Sequence, residues 1–476
     1  MQLSKNVLRF HPLRRSEPPR CSQHCVFLRR ATAAGIVLLV TGAAAVALPG
    51  RAGATTAVTG PQITHVDNPY LGAKGYINPE WLNQVGRVAD GSKISNNPTS
   101  IWVDRVALAI GSLDSRRGLR NHLDTALAQG AGYVQVVLNN LPGKDCDRDW
   151  YGTGDFKFNE VDLYKSAFID QVTAIESDPK YQSLRIINIV EPRWVQNLVL
   201  NTGNRESATS ACDTVAGAGS YVDGVRYALT KLHRAGQNVY TYLDAGVYYE
   251  LGWEDNAESA LRLIVDAVKG TPDGFAGVDG FATNIAGYAP LVEPFFTIDT
   301  KINGRSIKQS KWVDWNNDVD EVRHTLRVRE AFVAAGFSAH IGMIIDTSRN
   351  GWGGPNRPTK ASTSMDPDTF VTESRVDRRR EVANWCNQIG PGLGERPVAA
   401  PMTGIDAYAW IKTPGESDGS SVRGEAGTDD MCDPTYDRRP GGSSHRSGAM
   451  PNAPARGAWF PEQFTVLLNN AYPPLP

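Results

Sequence analysis

Residues 220–244 read Ser-Tyr-Val-Asp-Gly-Val-Arg-Tyr-Ala-Leu-Thr-Lys-Leu-His-Arg-Ala-Gly-Gln-Asn-Val-Tyr-Thr-Tyr-Leu-Asp. Val222, Val225, Leu229 and Leu232 fall on one side of a 3.6-residue period, the spacing of a helix laid on a sheet, and predict a helix over 220–234. A short β-prone run, 238–243, follows and ends in a carboxylate, Asp244. The unit is a helix, a tight connection, a strand and an acid at the strand's C-terminal end.

The same unit recurs in both directions along the chain. Strands are expected at 100–107, 133–138, 185–190, 238–243, 279–283, 340–345 and 404–411, with helices at 119–128, 161–175, 220–234, 257–268, 319–335 and 376–385. About seven such alternations predict an α/β fold, a distorted barrel of parallel strands with its active site at the strand C-terminal ends. An open doubly wound sheet is the alternative. The lack of a G-x-G-x-x-G motif after the first strand counts against it. Two long aperiodic segments, 348–373 and 415–456, each follow a strand and are read as lids over that face.

Composition excludes several classes. A formal net charge of −2 and 21% charged residues give no basic surface for nucleic acid and no acidic tail. Residues 1–54 read as an export leader: Arg14, Arg15, Arg20, Arg29 and Arg30 precede an apolar run to Leu48 and a small-residue cleavage pattern, Ala52-Gly53-Ala54. An uncleaved anchor is the competing reading, and Arg29-Arg30 is compatible with a twin-arginine as well as a general secretory route. Residues 55–67 form a short lead-in, and 68–476 one catalytic domain. A secreted protein, free of stable membrane association once the leader is removed, and monomeric, is the expectation. Six cysteines include Cys21 and Cys25 in the leader, leaving Cys146, Cys212, Cys386 and Cys432. Four in an exported chain suggest two bridges, with three pairings open. Neither these cysteines nor His65, His233, His340 and His445 show ligand spacing, so no cofactor or metal is expected.

The strand ends carry the chemistry. Trp102 and Asp104 close the first strand; Asn139, Asn140 and Asp145 follow the second, Glu191-Pro192-Arg193 the third, Asp244 the fourth and Asn284 the fifth. Asp346 and Arg349 follow the sixth, and Lys412, Glu416 and Asp418 the seventh. Carboxylates and amides recognise sugar hydroxyls, while tryptophan faces stack on the apolar side of pyranose rings. Hydrolysis of a glycosidic bond needs two carboxyl groups, one protonated and one ionised.

At this level of detail a family resemblance emerges. Asn68-Pro69-Tyr70, Ser100-Ile101-Trp102-Val103-Asp104, Asn140-Leu141-Pro142-Gly143-Lys144-Asp145-Cys146 and Tyr242-Leu243-Asp244-Ala245-Gly246 open an ordered motif series. Gly280-Phe281-Ala282-Thr283-Asn284, Asn384-Trp385-Cys386-Asn387, Lys412 to Gly419 and Gly457-Ala458-Trp459-Phe460 complete it. The series resembles that of glycoside hydrolase family 6, the cellobiohydrolase and endoglucanase family. The resemblance implies a distorted seven-stranded barrel, a β-1,4-glucan or related β-glycan ligand, inverting hydrolysis, and bridges Cys146–Cys212 and Cys386–Cys432. It assigns Asp145 to support of the catalytic acid, Asp418 to the base, and Trp102, Asp104, Trp253, Asn284, Trp385, Lys412 and Glu416 to substrate binding.

Departures cluster at the cleavage point. Where the family carries its proton-donating aspartate, this chain has Arg193, which stays charged and cannot act as an acid. Asn139 stands for a tyrosine, Val247 and Glu250 for a histidine and a tryptophan, and Gly287 for an asparagine; the family's water-holding serine is not recognisable in 146–154. Three readings follow: a hydrolase with a displaced acid (Glu250, Glu191 or Asp149) and altered specificity, a β-glycan-binding protein without turnover, or an ordinary cellulase whose acid lies elsewhere.

Overall fold

The computed structural model describes residues 63–476 apart from 114–115, 149–151, 153, 425–427 and 438–444. The leader and Asp149 lie outside the described residues. Eight strands form one curled sheet: β1 (Ile101–Val103), β2 (Tyr133–Leu138), β3 (Arg185–Val190), β4 (Val239–Asp244), β5 (Gly280–Thr283), β6 (Gly342–Asp346), β7 (Val398–Met402) and β8 (Ile405–Ala409). Their spatial order is β1-β2-β3-β4-β5-β6-β8-β7. All neighbours are parallel except β7, which runs antiparallel to β8. The sheet curls far enough for the Ser100 N–H to donate to the Trp410 carbonyl at 3.1 Å, so the first and last parallel strands meet at a seam. This is the distorted α/β barrel expected from the sequence, with its seven parallel strands.

Both faces of the sheet are buried, which explains strands that read as continuous apolar runs. Within β3, Ile187 and Ile189 pack inward with Val137, Tyr240, Tyr242, Ile344 and Ala407. Ile186 and Val190 pack outward with Val225, Leu229 and Leu232 of the helix Ser220–His233. The two-residue period of the strand thus feeds an inner and an outer core. Helices Leu119–Ala128, Glu254–Lys269 and Glu321–Ala335 complete much of the outer layer.

Several expectations are corrected. The strand expected at 100–107 stops at Val103: Asp155 accepts the Val106 N–H at 2.6 Å and a short helix, Val106–Ile110, begins. No helix forms at 376–385. There the Glu293 carboxylate accepts the Val376 N–H at 2.9 Å, and Asp377 takes the Arg379 N–H and guanidinium, so side chains replace the helical hydrogen-bond ladder. Segment 348–373, read as aperiodic, runs into the helix Pro367–Ser374, capped by Asp366. Residue 65, within the lead-in, packs on the barrel: His65 stacks on Tyr240 and reaches Asp279 at 2.7 Å. Among the described residues no helix is long and apolar enough to cross a membrane.

Both disulfides are present with the implied pairing, Cys146–Cys212 and Cys386–Cys432. The first ties the loop after β2 to the helix Ser210–Ala218, and the second ties the segment beside Trp385 to the lid after β8.

Candidate active site

Non-glycine residues in left-handed backbone conformations gather at the C-terminal ends of the strands: Asp145 (φ 58°), Glu191 (50°), Arg193 (71°) and Asn284 (56°). Such conformations are costly for residues with a Cβ and persist where surrounding bonds enforce them. At Glu191 the bonds are plain. Its buried carboxylate accepts the N–H groups of Asn140 and Leu141 and the Tyr164 hydroxyl, the last at 2.8 Å. Burial pushes this carboxyl up to about 7 against those donors. Glu191 therefore fastens β3 to the loop after β2.

Asp145 and Asp418 are each paired with an arginine. Arg456, in the long segment after β8, donates to Asp145 at 2.7 Å. Burial alone would raise the Asp145 carboxyl, but Arg456 and Lys144 hold it far below the usual carboxylate range. The partner is Arg456; Arg193, in a left-handed turn, carries its guanidinium to other acids. Arg349 donates to Asp418 at 2.8 Å, the Tyr288 hydroxyl at 3.2 Å and the Asn387 N–H at 2.8 Å. Burial again opposes ionisation, and Arg349 with Lys412 overcomes it. Asn387 returns the contact by accepting the Asp418 N–H at 2.9 Å, so the backbone and carboxylate are both fixed.

Arg193 lies between Asp147, at 2.8 Å, and Glu250, at 3.2 Å. Its N–H donates to Asp244 at 2.7 Å, and burial pushes the Asp244 carboxyl up to about 6. Glu250, the replacement acid considered from sequence, is thus held in an ion pair with the residue it would replace. Asp147 Oδ1, Arg193 Nε and Glu250 Oε2 are buried and have no hydrogen-bond partner within the protein. These three atoms are one donor and two acceptors left over by the same ion-pair cluster. Arg148 adds a second cation: it bonds Asp147 at 3.2 Å and lies over the Trp385 ring, 3.8 Å from its centroid.

The remaining sequence-selected residues divide into two groups. Trp102 donates its indole N–H to the Ile411 carbonyl at 3.0 Å, with Lys412 Nζ 5.8 Å from its ring and 3.7 Å from Glu416. Asp104 bonds Arg116 at 3.2 Å, and Lys144 and Arg116 hold it ionised against burial. Trp253 is half-buried and donates to the Asp314 carbonyl at 2.7 Å. Asn284, expected to touch sugar, is instead fully buried: its amide donates to the Asp346 carbonyl and accepts from Ala289. Asp346 likewise accepts the N–H groups of Ala286, Ser348 and Lys412, joining β5, β6 and β8 below the rim. Asp147, Asn387, Tyr288 and Arg456 escape sequence reasoning. Their chemistry depends on partners up to 311 positions away.

Among the described residues no group of His, Cys, Asp and Glu side chains is arranged to hold a metal ion. The model of glycosyl hydrolases family 6 matches residues 79–471. Exoglucanase A of Cellulomonas fimi is 41% identical over 447 residues; the match covers 88% of this chain and 50% of that protein, so the chain spans about half the length of this relative. The catalytic domain of Cellulomonas fimi Cel6B superposes with a TM-score of 0.80 at 41% identity, over 87% of this chain and 97% of that domain. A Humicola insolens cellobiohydrolase II solved with glucose and cellotetraose superposes with a TM-score of 0.64 at 26% identity, over 86% and 99% of the two chains.

Proposed function

The chain belongs to glycosyl hydrolases family 6, and from that premise we propose that it is an exported monomeric enzyme binding a β-1,4-glucan or related β-glycan and acting on it without the usual proton donor. The observation that carries the reading is that each of the two strand-end carboxylates, Asp145 and Asp418, is paired with an arginine, while Arg193 is paired with Asp147 and Glu250. Asp418 is kept ionised by Arg349 and suits a base that takes a proton from water. Asp145 is kept ionised by Arg456, and the donor position between Asp147 and Glu250 holds a permanent cation. Trp102, Lys412 and Glu416 supply an apolar face with adjacent charged hydrogen-bonding groups, and Asp104 sits beside them.

A site that activates water but cannot protonate a leaving oxygen has a defined signature. Leaving groups that depart without a proton escape the defect, because the bond to the anomeric carbon breaks to give a stable anion while Asp418 takes the water's proton. The expected outcome is hydrolysis of β-cellobiosyl fluoride with inversion, alongside cleavage of cellotetraose slower by about 10²–10⁴-fold, the usual contribution of a general acid. Equal rates on the two substrates would place an effective acid in the site and overturn the proposal. Tight cellotetraose binding with neither substrate turned over would favour the second reading, a glycan-binding protein, which the two fully ion-paired carboxylates also fit.

A further inference from the structure

Trp315 is 62% exposed, and no other tryptophan among the described residues reaches that class of exposure. It sits at φ 63°, directly after Asp314 at φ 45°, so two consecutive side-chain-bearing residues occupy left-handed backbone. An exposed indole gains nothing from the solvent, and a left-handed pair opposes the intrinsic preference of both residues. The conformation is nonetheless enforced. The Asp314 and Trp315 N–H groups donate to the carbonyls of Ser310 and Lys308, each at 2.8 Å.

The turn is also fastened to the loop that follows β4. Trp253 donates its indole N–H to the Asp314 carbonyl at 2.7 Å, Asn316 donates to the Tyr248 carbonyl at 3.0 Å, and the Asn317 N–H donates to the Gly252 carbonyl at 3.1 Å. Asn317 further donates to Glu254 at 2.7 Å and accepts from Lys308 at 2.7 Å. A Cβ on Gly252 would lie 2.0 Å from Asn316 Oδ1, so the two loops meet without room for a larger residue. Five side chains and a glycine are thus committed to holding one indole out in water next to Trp253.

We infer that Trp315 is a sugar-stacking platform, taking a glucose ring of a β-linked glucan chain that runs outward past Trp253. The inference rests on the glycan-binding reading of the cleft and extends it along the lip formed by the loops 245–254 and 308–317. A flat apolar face presented at the surface from a backbone fixed by hydrogen bonds suits pyranose stacking, which needs area more than enclosure.

Calorimetric titration with the series cellotriose to cellohexaose, on wild type and on the variants Trp315→Ala, Trp315→Gly and Trp315→Phe, tests this. Affinity for cellohexaose should fall by roughly 5–50-fold in the Ala and Gly variants, by analogy with stacking on other aromatic platforms, with cellotriose affinity unchanged. The Phe variant should keep most of the affinity. Glycine accepts the left-handed backbone, so Trp315→Gly should melt no lower than wild type while losing long-chain affinity, which excludes misfolding as the cause. Unchanged cellohexaose affinity in the Ala variant, or an equal loss at every chain length, overturns the platform while leaving the cleft reading intact. Wild-type protein that binds none of the series overturns both.

Discussion

Arg456 keeps Asp145 ionised where burial favours the neutral acid, and the consequence can be measured as stability. Arg456→Ala leaves a buried carboxylate without its principal cation. The arginine side chain is itself 34% exposed, so solvent offsets part of the loss. A destabilisation of about 1–3 kcal/mol at pH 7 is expected, below the range for a fully buried pair. The sign with pH follows from the direction of the shift. The folded-state value of Asp145 lies below its unfolded value, so the pair stabilises the fold above the ordinary aspartate range near about 4. That contribution fades as pH falls through the folded value. Urea denaturation of wild type and variant should therefore give curves that differ at pH 7 and converge in strong acid; a difference constant with pH would assign the effect to packing. Residues at this scale were legible from sequence only where the chemistry is local. Lys412, Glu416 and Asp418 stand together in one short motif after a strand, and the structure keeps them together. Asp147 follows Asp145 by two positions, yet nothing nearby marks it. Its meaning comes from Arg193, 46 residues later. Arg193 stands out in the sequence as a cation among strand-end acids, whereas its partners are set by a left-handed turn that the sequence does not announce.

Among the elements, those with a regular apolar period were placed most accurately. Strands at 133–138 and 185–190 and the helix at 119–128 have the bounds that their patterns imply: the strands are continuous runs buried on both faces, and the helix buries Leu119, His122, Leu123 and Ala126 along one side. Where buried ions decide the backbone, period fails. Arg379 and Asp377 are both fully buried in the segment expected to be helical, and their pairing prevents the ladder from forming. β7 was missed for a different reason: Val-Ala-Ala-Pro-Met alternates between half-buried and exposed, contains a proline, and shifts register between Ala399 and Met402. The lid after β8 lacks such a period altogether, and the Cys386–Cys432 bridge anchors it. Closing a span of 46 residues stabilises the fold by about 4 kcal/mol on the chain-entropy model. The double variant Cys386→Ser, Cys432→Ser should lose stability of that order. It should also weaken cellotetraose binding, since Trp385 and Asn387 flank Cys386 and Asn387 holds Asp418. Unchanged binding in a destabilised variant would show that the lid and the cleft are independent.

Taken as a closed hoop, the barrel has one weak clasp. β2 and β3 pair along six residues each, whereas β1 meets the end of β8 through the Ser100 N–H to the Trp410 carbonyl and the Trp102 indole to the Ile411 carbonyl. Beyond that point the edge of β8 is occupied by β7 and the lower edge of β2 by the segment at Gly75, so among the described residues few backbone bonds join β1 to β8, and side chains such as Trp81, which packs on Trp410 and donates to the Pro414 carbonyl at 3.0 Å, supply much of the rest. Opening events of low free energy belong to regions with few backbone bonds, and this join is one. Trp102 stands on one side of it and Lys412 on the other. A glucan chain held between them would add rungs that the backbone lacks. Deuterium uptake at residues 99–103 and 410–412 should therefore be faster than in β2 and β3, and should slow on addition of cellotetraose while β2 and β3 keep their rates. If the proposed cleft takes a glucan, the ligand would do mechanical service as a fastener, and the free protein would be at its loosest along the line where that chain would lie.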